Sequence, residues 1–147
     1  MYNITCNTDD NYAQHCTAML CSLFENNKDE EITVHVLCGN LSETNRQLIK
    51  DLSVRYQQQV LFHAVDESVL DGVQFRSKRP LTKAAYYRLL LSSILRDVDK
   101  VLYLDCDMIV LGKIKELFDI ELDNYALAAV LDPMPYNNQH QMQLHLS

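Results

Sequence analysis

Two acids stand between two apolar runs in the stretch Lys100-Val-Leu-Tyr-Leu-Asp105-Cys-Asp107-Met-Ile-Val-Leu111. The first run, residues 101–104, has the β-branched and aromatic members typical of a strand buried on both faces inside a parallel sheet. Because successive side chains of an extended segment point to opposite faces, Asp105 and Asp107 are predicted to project to one side and Cys106 to the other. The sequence therefore predicts a carboxylate pair at the end of a central strand.

This carboxylate pair requires a positive partner, since two like charges held close together repel each other. A divalent cation is the simplest partner. Hard oxygen ligands suit Mg²⁺ or Mn²⁺, which keep positions open for water and substrate phosphates. The location agrees, because ligands of open α/β sheets bind beyond the carboxyl ends of the strands. The alternative is that Asp-x-Asp merely caps a turn or the next helix, and the tripeptide alone does not separate the two interpretations.

The composition indicates one folded domain of 147 residues, or a part of one. With 48% hydrophobic and 22% charged residues, the chain can form a core. Its net charge of −7 argues against a nucleic-acid partner, because binding a phosphate backbone requires clustered Lys and Arg. The chain has only three glycines, Gly39, Gly72 and Gly112, and their positions exclude both Gly-rich phosphate-binding motifs.

The five cysteines are an odd number without C-x-x-C spacing. This pattern favours free thiols in a reducing cytoplasm over a disulfide framework or a zinc site. No stretch approaches the ~18 consecutive apolar residues of a membrane helix, and the first residues lack the basic and apolar regions of a signal peptide. We therefore expect a cytoplasmic protein without a transmembrane segment.

Strands and helices alternate along the chain before the acidic pair. Strands are predicted over 2–7, 32–37 and 60–65, and helices over 12–24 and after Ser42, which can cap the second one. A further helix is predicted from Thr82, with Tyr86, Leu89 and Ile94 on its buried face and Arg88 outside that face. This order predicts a parallel, doubly wound sheet with right-handed crossovers.

Polar residues also follow the first predicted strand. Asp9, Asp10 and Asn11 precede the first helix. Carboxylates and amides there can contact a base edge or a ribose, or they can simply cap the helix, where negative charge is favourable. The residues alone leave both interpretations open.

The end of the chain differs in character from the rest. A last strand is predicted over 126–131, which places Asp132 at a strand end. From residue 134 the sequence is polar and amide-rich. His140 and His145 lie five residues apart there, which is poor spacing for a pair of metal ligands.

Four sequence blocks carry a resemblance to a known family: Asp9-Asp10-Asn11-Tyr12, Leu41-Ser42-Glu43-Thr44-Asn45-Arg46, Tyr86-Tyr87-Arg88-Leu89 and Asp99-Lys100-Val101-Leu102-Tyr103-Leu104-Asp105-Cys106-Asp107. With these blocks in this order the chain resembles glycosyltransferase family 8. This family comprises retaining nucleotide-sugar enzymes, among them bacterial lipopolysaccharide glucosyl- and galactosyltransferases and glycogenin. The resemblance implies the GT-A fold, a Rossmann-like α/β domain with a mostly parallel central sheet flanked by helices. Residues 1–133 would form its nucleotide-sugar-binding part and residues 134–147 an irregular polar tail.

The resemblance also implies a ligand set. The donor would be a UDP-sugar, and the acceptor would be a saccharide or a lipid-linked saccharide. Asp105 and Asp107 would bind Mn²⁺ or Mg²⁺ at the diphosphate of the donor, with Cys106 beside the nucleotide-sugar. The transferred group would be glucose or galactose.

Other positions receive roles only from the resemblance. Asp9 would contact the uracil edge, Asn11 would lie near the ribose, and Tyr12 would stack on the base. Arg88 would reach the phosphate or the sugar of the donor. Asp132 would lie near the transferred sugar or the acceptor.

The chain also departs from the family pattern. Members are usually about twice as long, and their second half carries further motifs, including the histidine that is the third metal ligand, which do not occur here. We therefore expect the donor half of a transferase site, with peripheral membrane contact in a full-length form. An inactive nucleotide-sugar-binding remnant is the alternative.

A phosphatase of the haloacid-dehalogenase type is a second enzyme class that places Asp-x-Asp after a strand. That class favours Thr or Val at the position of Ile109. It also needs downstream motifs that residues 108–147 do not offer. The sequence therefore favours the transferase.

Overall fold

A parallel sheet forms the centre of the fold. The computed structural model describes residues 1–71 and 83–130, and within these ranges the sheet has four strands in the order β3-β2-β1-β4. The strands are β1 (Tyr2–Thr8), β2 (Ile32–Cys38), β3 (Gln59–Ala64) and β4 (Leu102–Tyr103). The α-helices are α1 (Ala13–Asn26), α2 (Glu43–Arg55), α3 (Leu91–Ile94) and α4 (Lys115–Phe118), and 3₁₀ helices span Glu67–Leu70 and Lys83–Leu90.

The parallel order follows from the alternation of strands and helices along the chain. β2 is buried throughout because it lies between β1 and β3, pairing Tyr2 with Ile32 and Thr33 with Gln59. Ser42 caps α2 by accepting from the backbone N–H of Asn45. The predicted α/β class is confirmed, and the predicted bounds of the first three strands differ from those observed by one residue.

The main core lies between one face of the sheet and helices α1 and α2. The side chains that form it include Ile4, Cys6, Val34, Val36, Cys16, Met19, Leu20, Leu23, Phe24 and Ile49. On the opposite face, a smaller cluster packs the 3₁₀ helix Lys83–Leu90 against β2 through Leu37, Val65, Leu70, Ala84 and Tyr87. The helices thus cover both faces, as a doubly wound sheet requires.

The segment after residue 82 differs from its prediction. A regular α-helix with Tyr86, Leu89 and Ile94 buried was expected, but the 3₁₀ helix buries Ala84 and Tyr87 instead and leaves Leu89 69% exposed. A 3₁₀ helix repeats every three residues, so residues i and i+3 share one face. The predicted exposure of Arg88 is confirmed.

Two strand predictions were wrong. β4 is short and half-buried, because β1 is its one partner strand in the described parts of the chain. Residues 126–130 form no strand, and Leu127 and Val130 are 72% and 95% exposed. An extended segment needs a neighbouring strand for its backbone N–H and C=O groups, and residues 1–71 and 83–130 supply none to this segment. Asp132 and the predicted tail lie outside the described residues.

The end of α1 holds the segment that follows the acidic pair. Asn26 donates from Nδ2 to the carbonyl oxygen of Val110 at 2.9 Å. The buried Asn27 donates to the carbonyl oxygen of Gly112 at 3.2 Å and accepts from the backbone N–H of Ile114 at 3.0 Å. These two amides fix residues 110–114 against the core.

The helices that the structure describes are short relative to a bilayer. Across residues 1–71 and 83–130, no helix combines the length and the apolar composition needed to cross a membrane.

Candidate functional site

A cavity of about 310 Å³ opens at the carboxyl ends of β1 and β4. Its walls come from these two strand ends, the loop after β1, and the 3₁₀ helix Lys83–Leu90. The lining residues are Asn7, Thr8, Asp9, Tyr12, Ala84, Ala85, Arg88, Asp105, Cys106 and Asp107. The carboxyl end of a parallel sheet is the usual ligand position in α/β folds.

Both members of the acidic pair, Asp105 and Asp107, line this cavity. β4 ends at Tyr103, and Cys106 and Asp107 lie in a turn. Cys106 belongs to the lining as well, but it packs against the core on the face of Ile4 and Cys6, opposite to the face on which Tyr103 contacts Asp105, so the predicted alternation holds for Asp105 and Cys106. Burial, with a smaller contribution from the charge of Cys16, raises the pKa of the half-buried Cys106 thiol to about 12.

Among the described residues that line the cavity, Arg88 is the one with a positively charged side chain. Its Nη2 lies 3.7 Å from Oδ1 of Asp105, and its guanidinium carbon lies 5.0 Å from the ring centroid of Tyr103. Its Nε donates to the carbonyl oxygen of Ala85 at 2.9 Å. Arg88 and Asp105 are both about half exposed, so solvent screens their attraction.

Tyr103 and Asn7 are site residues that the sequence analysis missed. The hydroxyl of Tyr103 lies 2.9 Å from Oδ1 of Asp105 and also contacts Oδ1 of Asn7. Asn7 is 9% exposed and donates from Nδ2 to the carbonyl oxygen of Ala84 at 2.9 Å. Burial, followed by the hydrogen bond to Asp105, raises the pKa of Tyr103. The spacing 103 to 105, one strand repeat, is the signal that links Tyr103 to Asp105.

The loop after β1 leads into α1 and lines the cavity. Oδ1 of Asp9 accepts from the backbone N–H groups of Asn11 and Tyr12 at 2.9 and 3.0 Å. Both N–H groups precede α1, whose N-cap residue Tyr12 makes no side-chain capping bond, so Asp9 closes the turn before the helix and the capping interpretation of Asp9 was wrong. Asp9 and the 44% exposed Tyr12 line the cavity, whereas Asn11 is exposed and is not among the lining residues.

Asp10 joins this loop to α2. Its Oδ1 accepts from the backbone N–H of Ser42 and from Nδ2 of Asn45, both at 2.8 Å. These bonds, that from Ser42 first, hold the pKa of Asp10 below its ordinary value. Two of the four blocks behind the family resemblance are thus tied together by one carboxylate.

The residues of the cavity fit a divalent cation. Asp105 and Asp107 offer hard carboxylate oxygens, and Asp9 is a third acid in the cavity lining. In the ranges that the structure describes, no group of three or more His, Cys, Asp or Glu side chains is gathered for a metal. Mg²⁺ is nevertheless commonly held by one or two carboxylates, with substrate phosphates and waters in its remaining positions. The two acids therefore suit a metal that is completed by a phosphate ligand.

A second cavity, of about 630 Å³, lies at the opposite end of the sheet. It is lined by residues that precede β2 and β3 and by the end of α1, and several of its charged groups are already paired. Lys28 binds Glu25, and the hydroxyl of Tyr56 donates to Glu25 at 2.7 Å. Because ligands of parallel sheets bind at the carboxyl ends, we assign the site to the smaller cavity.

Comparisons with known proteins give a consistent result. The family model described as glycosyl transferase family 8 matches residues 3–146. General stress protein A of Bacillus subtilis is 29% identical over 147 residues, which is 98% of this chain and 50% of that protein. Lipopolysaccharide 1,2-glucosyltransferase of Escherichia coli is 28% identical over 132 residues, 89% of this chain and 38% of that protein.

The fold is also similar to a solved structure. The crystal structure of the galactosyltransferase LgtC in complex with donor and acceptor sugar analogs matches with a TM-score of 0.74 and 31% identity, covering 82% of this chain and 43% of that one. This match confirms the expected GT-A fold. The chain spans half the length of one of these relatives and less than half of the other two. Since the family model covers nearly the whole sequence, the chain belongs to glycosyltransferase family 8.

Proposed function

We propose that the cavity between β1 and β4 binds a UDP-hexose together with Mn²⁺ or Mg²⁺, as the donor half of a retaining hexosyltransferase site. One observation carries this proposal: Asp105 and Asp107 line the same cavity as Arg88. Two carboxylates can hold a cation, and a guanidinium can bind phosphate oxygens, so this combination suits a diphosphate. Membership of family 8 supports the same reaction class.

The nucleoside would lie against the loop after β1. The partly exposed ring of Tyr12 offers a surface on which uracil can stack. Oδ1 of Asp9 accepts from the backbone N–H groups of Asn11 and Tyr12, so Oδ2 is the oxygen proposed to accept from the N–H of the uracil edge. Asn11, which follows Asp9 closely in the chain, is the proposed contact with the ribose.

The diphosphate would lie between the acidic pair and Arg88. Asp105 and Asp107 are the proposed cation ligands, and a bound cation supplies Lewis-acid stabilisation of the UDP leaving group. Because Nε of Arg88 donates to Ala85, its Nη groups are the ones available to a phosphate or to the donor sugar. Cys106 remains a neutral wall of the pocket beside them.

The acceptor half of the proposal rests on the family. A saccharide or a lipid-linked saccharide is the proposed acceptor, with Asp132 near the transferred sugar. A cytoplasmic location belongs to the proposal and is supported by the free state of all five cysteines. A peripheral contact with a membrane would bring a lipid-linked acceptor within reach.

Calorimetric titration of the purified chain with UDP, with and without Mn²⁺, tests donor binding. We expect Mn²⁺ to strengthen UDP binding, and we expect Asp107→Asn to lose at least about tenfold of that gain, because it removes a ligand charge. The matched control is Asp97→Asn, which changes an exposed acid away from the cavity and should bind like the wild type.

The outcomes separate the alternatives. UDP binding that ignores Mn²⁺ would contradict the proposed cation, and absence of UDP binding would contradict the donor site. Hydrolysis of UDP-glucose or UDP-galactose by the chain would distinguish a working transferase site from an inactive donor-binding remnant. Turnover of p-nitrophenyl phosphate would favour the phosphatase instead.

A further inference from the structure

A chain of hydrogen bonds connects the 3₁₀ helix Lys83–Leu90 to the first acid of the pair. Nδ2 of Asn7 donates to the carbonyl oxygen of Ala84, and the hydroxyl of Tyr103 lies between two acceptors, Oδ1 of Asn7 and Oδ1 of Asp105, which share its one proton. The 3₁₀ helix Lys83–Leu90, where this series of hydrogen bonds begins, also carries Arg88. The two ends of the cavity wall are therefore linked through two side chains to which the family resemblance gives no role.

The sheet register explains why these residues meet. Thr5 pairs with Tyr103 in adjacent parallel strands, so the two side chains lie on the same face. Asn7 follows Thr5 by two residues and Asp105 follows Tyr103 by two, which keeps the contacts on that face. Asn7 is buried and Tyr103 half-buried, whereas Asp105 is exposed. This series of hydrogen bonds, called the relay below, thus begins at buried residues and ends at the ligand cavity.

Each orientation in the relay is determined by the previous one. Because the amide nitrogen of Asn7 donates to Ala84, its oxygen must face Tyr103. The ring of Tyr103 lies under the guanidinium of Arg88, with the guanidinium carbon 5.0 Å from its centroid. The tyrosine hydroxyl is therefore held from two directions where it meets Asp105.

We propose that Tyr103 is a positioning residue for Asp105, and that Asn7 modulates it by sharing the hydroxyl proton. This inference rests on the proposed function, in which Asp105 is a cation ligand. The hydroxyl holds Oδ1 of Asp105 and so restricts an exposed carboxylate to one orientation toward the cation. Groups that orient a metal ligand in this way typically change metal affinity by about 10–100-fold when they are removed.

Tyr103→Phe tests the proposal, because it removes the hydroxyl and keeps the ring on which Arg88 stacks. The measurement is the dissociation constant for Mn²⁺ in the presence of UDP, from the electron paramagnetic resonance signal of free Mn²⁺. We expect it to rise about tenfold, at the low end of the usual range because Asp105 is about half exposed. UDP binding without a metal should stay unchanged, which a general structural defect would not allow. Tyr2→Phe, the same change at the far end of β1, is the control.

Asn7→Ala supplies a second variant and completes a double-mutant cycle. Alone, it should tighten Mn²⁺ binding, because it removes the acceptor that shares the hydroxyl proton with Asp105. Combined with Tyr103→Phe, it should cause no change beyond that of Tyr103→Phe, because no hydroxyl proton is left to share. An effect of Asn7→Ala that persists in the double variant would overturn the role assigned to Asn7.

The failure of this inference differs from the failure of the proposed function. If the wild type binds no Mn²⁺, the proposed function fails. If the wild type binds Mn²⁺ and Tyr103→Phe binds it equally well, the positioning role of Tyr103 is overturned and the proposed cation site stands.

Discussion

Replacing Asn27 with Ala should lower the free energy of unfolding by about 3 kcal/mol. The side chain is fully buried and donates from Nδ2 to the carbonyl oxygens of Leu23 and Gly112 at 2.8 and 3.2 Å. Its Oδ1 accepts from the backbone N–H of Ile114, itself a buried residue. Truncation leaves the buried N–H of Ile114 without its acceptor, and an unsatisfied buried donor costs about 1–3 kcal/mol, of which we take about 2 kcal/mol. It also removes the longer bond to the carbonyl oxygen of Gly112, to which we assign about 1 kcal/mol.

The assay is urea unfolding of the wild type and of Asn27→Ala, monitored by circular dichroism, with thermal unfolding as a second measurement. A loss of about 3 kcal/mol corresponds to a Tm lower by about 9 °C in a domain of this size. Asn40→Ala, which removes the same group from an exposed turn, should change stability by less than about 0.5 kcal/mol. A loss below about 1 kcal/mol for Asn27→Ala would refute the reasoning, since it would mean that these bonds are replaced after truncation.

The remaining predictions concern a close contact and a pH dependence. A Cβ added at Gly39 would meet the hydroxyl of the buried Tyr87 and the carboxylate of Glu67, so Gly39→Ala should lose about 1–3 kcal/mol in urea unfolding. Tyr87→Phe together with Glu67→Ala should recover part of this loss. If the combination recovers nothing, these contacts are not the cause. Burial, then His63, lowers the pKa of His35, so below about pH 6.5 the unfolded chain binds more protons than the folded one. The free energy of unfolding should therefore fall from pH 7 to pH 5. His35→Gln should reduce this fall, whereas the control His15→Gln, at an exposed histidine, should not. An equal fall in the wild type and in both variants would contradict the assignment.

The elements of the first half of the chain were predictable because local pattern and tertiary position agree there. Apart from His35, β2 consists of apolar and β-branched residues, and such a run suits a strand enclosed by two neighbours. Ser42 stands where a polar cap should precede α2, and its side chain makes the capping bond. The position of the acidic pair at a carboxyl sheet edge was also predictable, since it depends only on strand direction.

The details of the cavity were not predictable, because they depend on contacts between distant parts of the chain. The partner of Tyr103, Asn7, lies 96 residues away, and the register that joins their strands has no signal in either segment. The spacing of apolar residues did not distinguish a 3₁₀ helix from an α-helix in Lys83–Leu90, where the buried pair Ala84 and Tyr87 reveals the three-residue repeat.

The carboxylate of Asp10 makes two distant segments behave as one cooperative unit. It belongs to the loop after β1, yet both of its partners, Ser42 and Asn45, lie at the start of α2. Local opening of either segment therefore breaks the contacts of the other, and their opening equilibria are coupled. A ligand that immobilises Tyr12 would slow the fluctuations of α2 without touching it, so this helix would report on events in a cavity that it does not line.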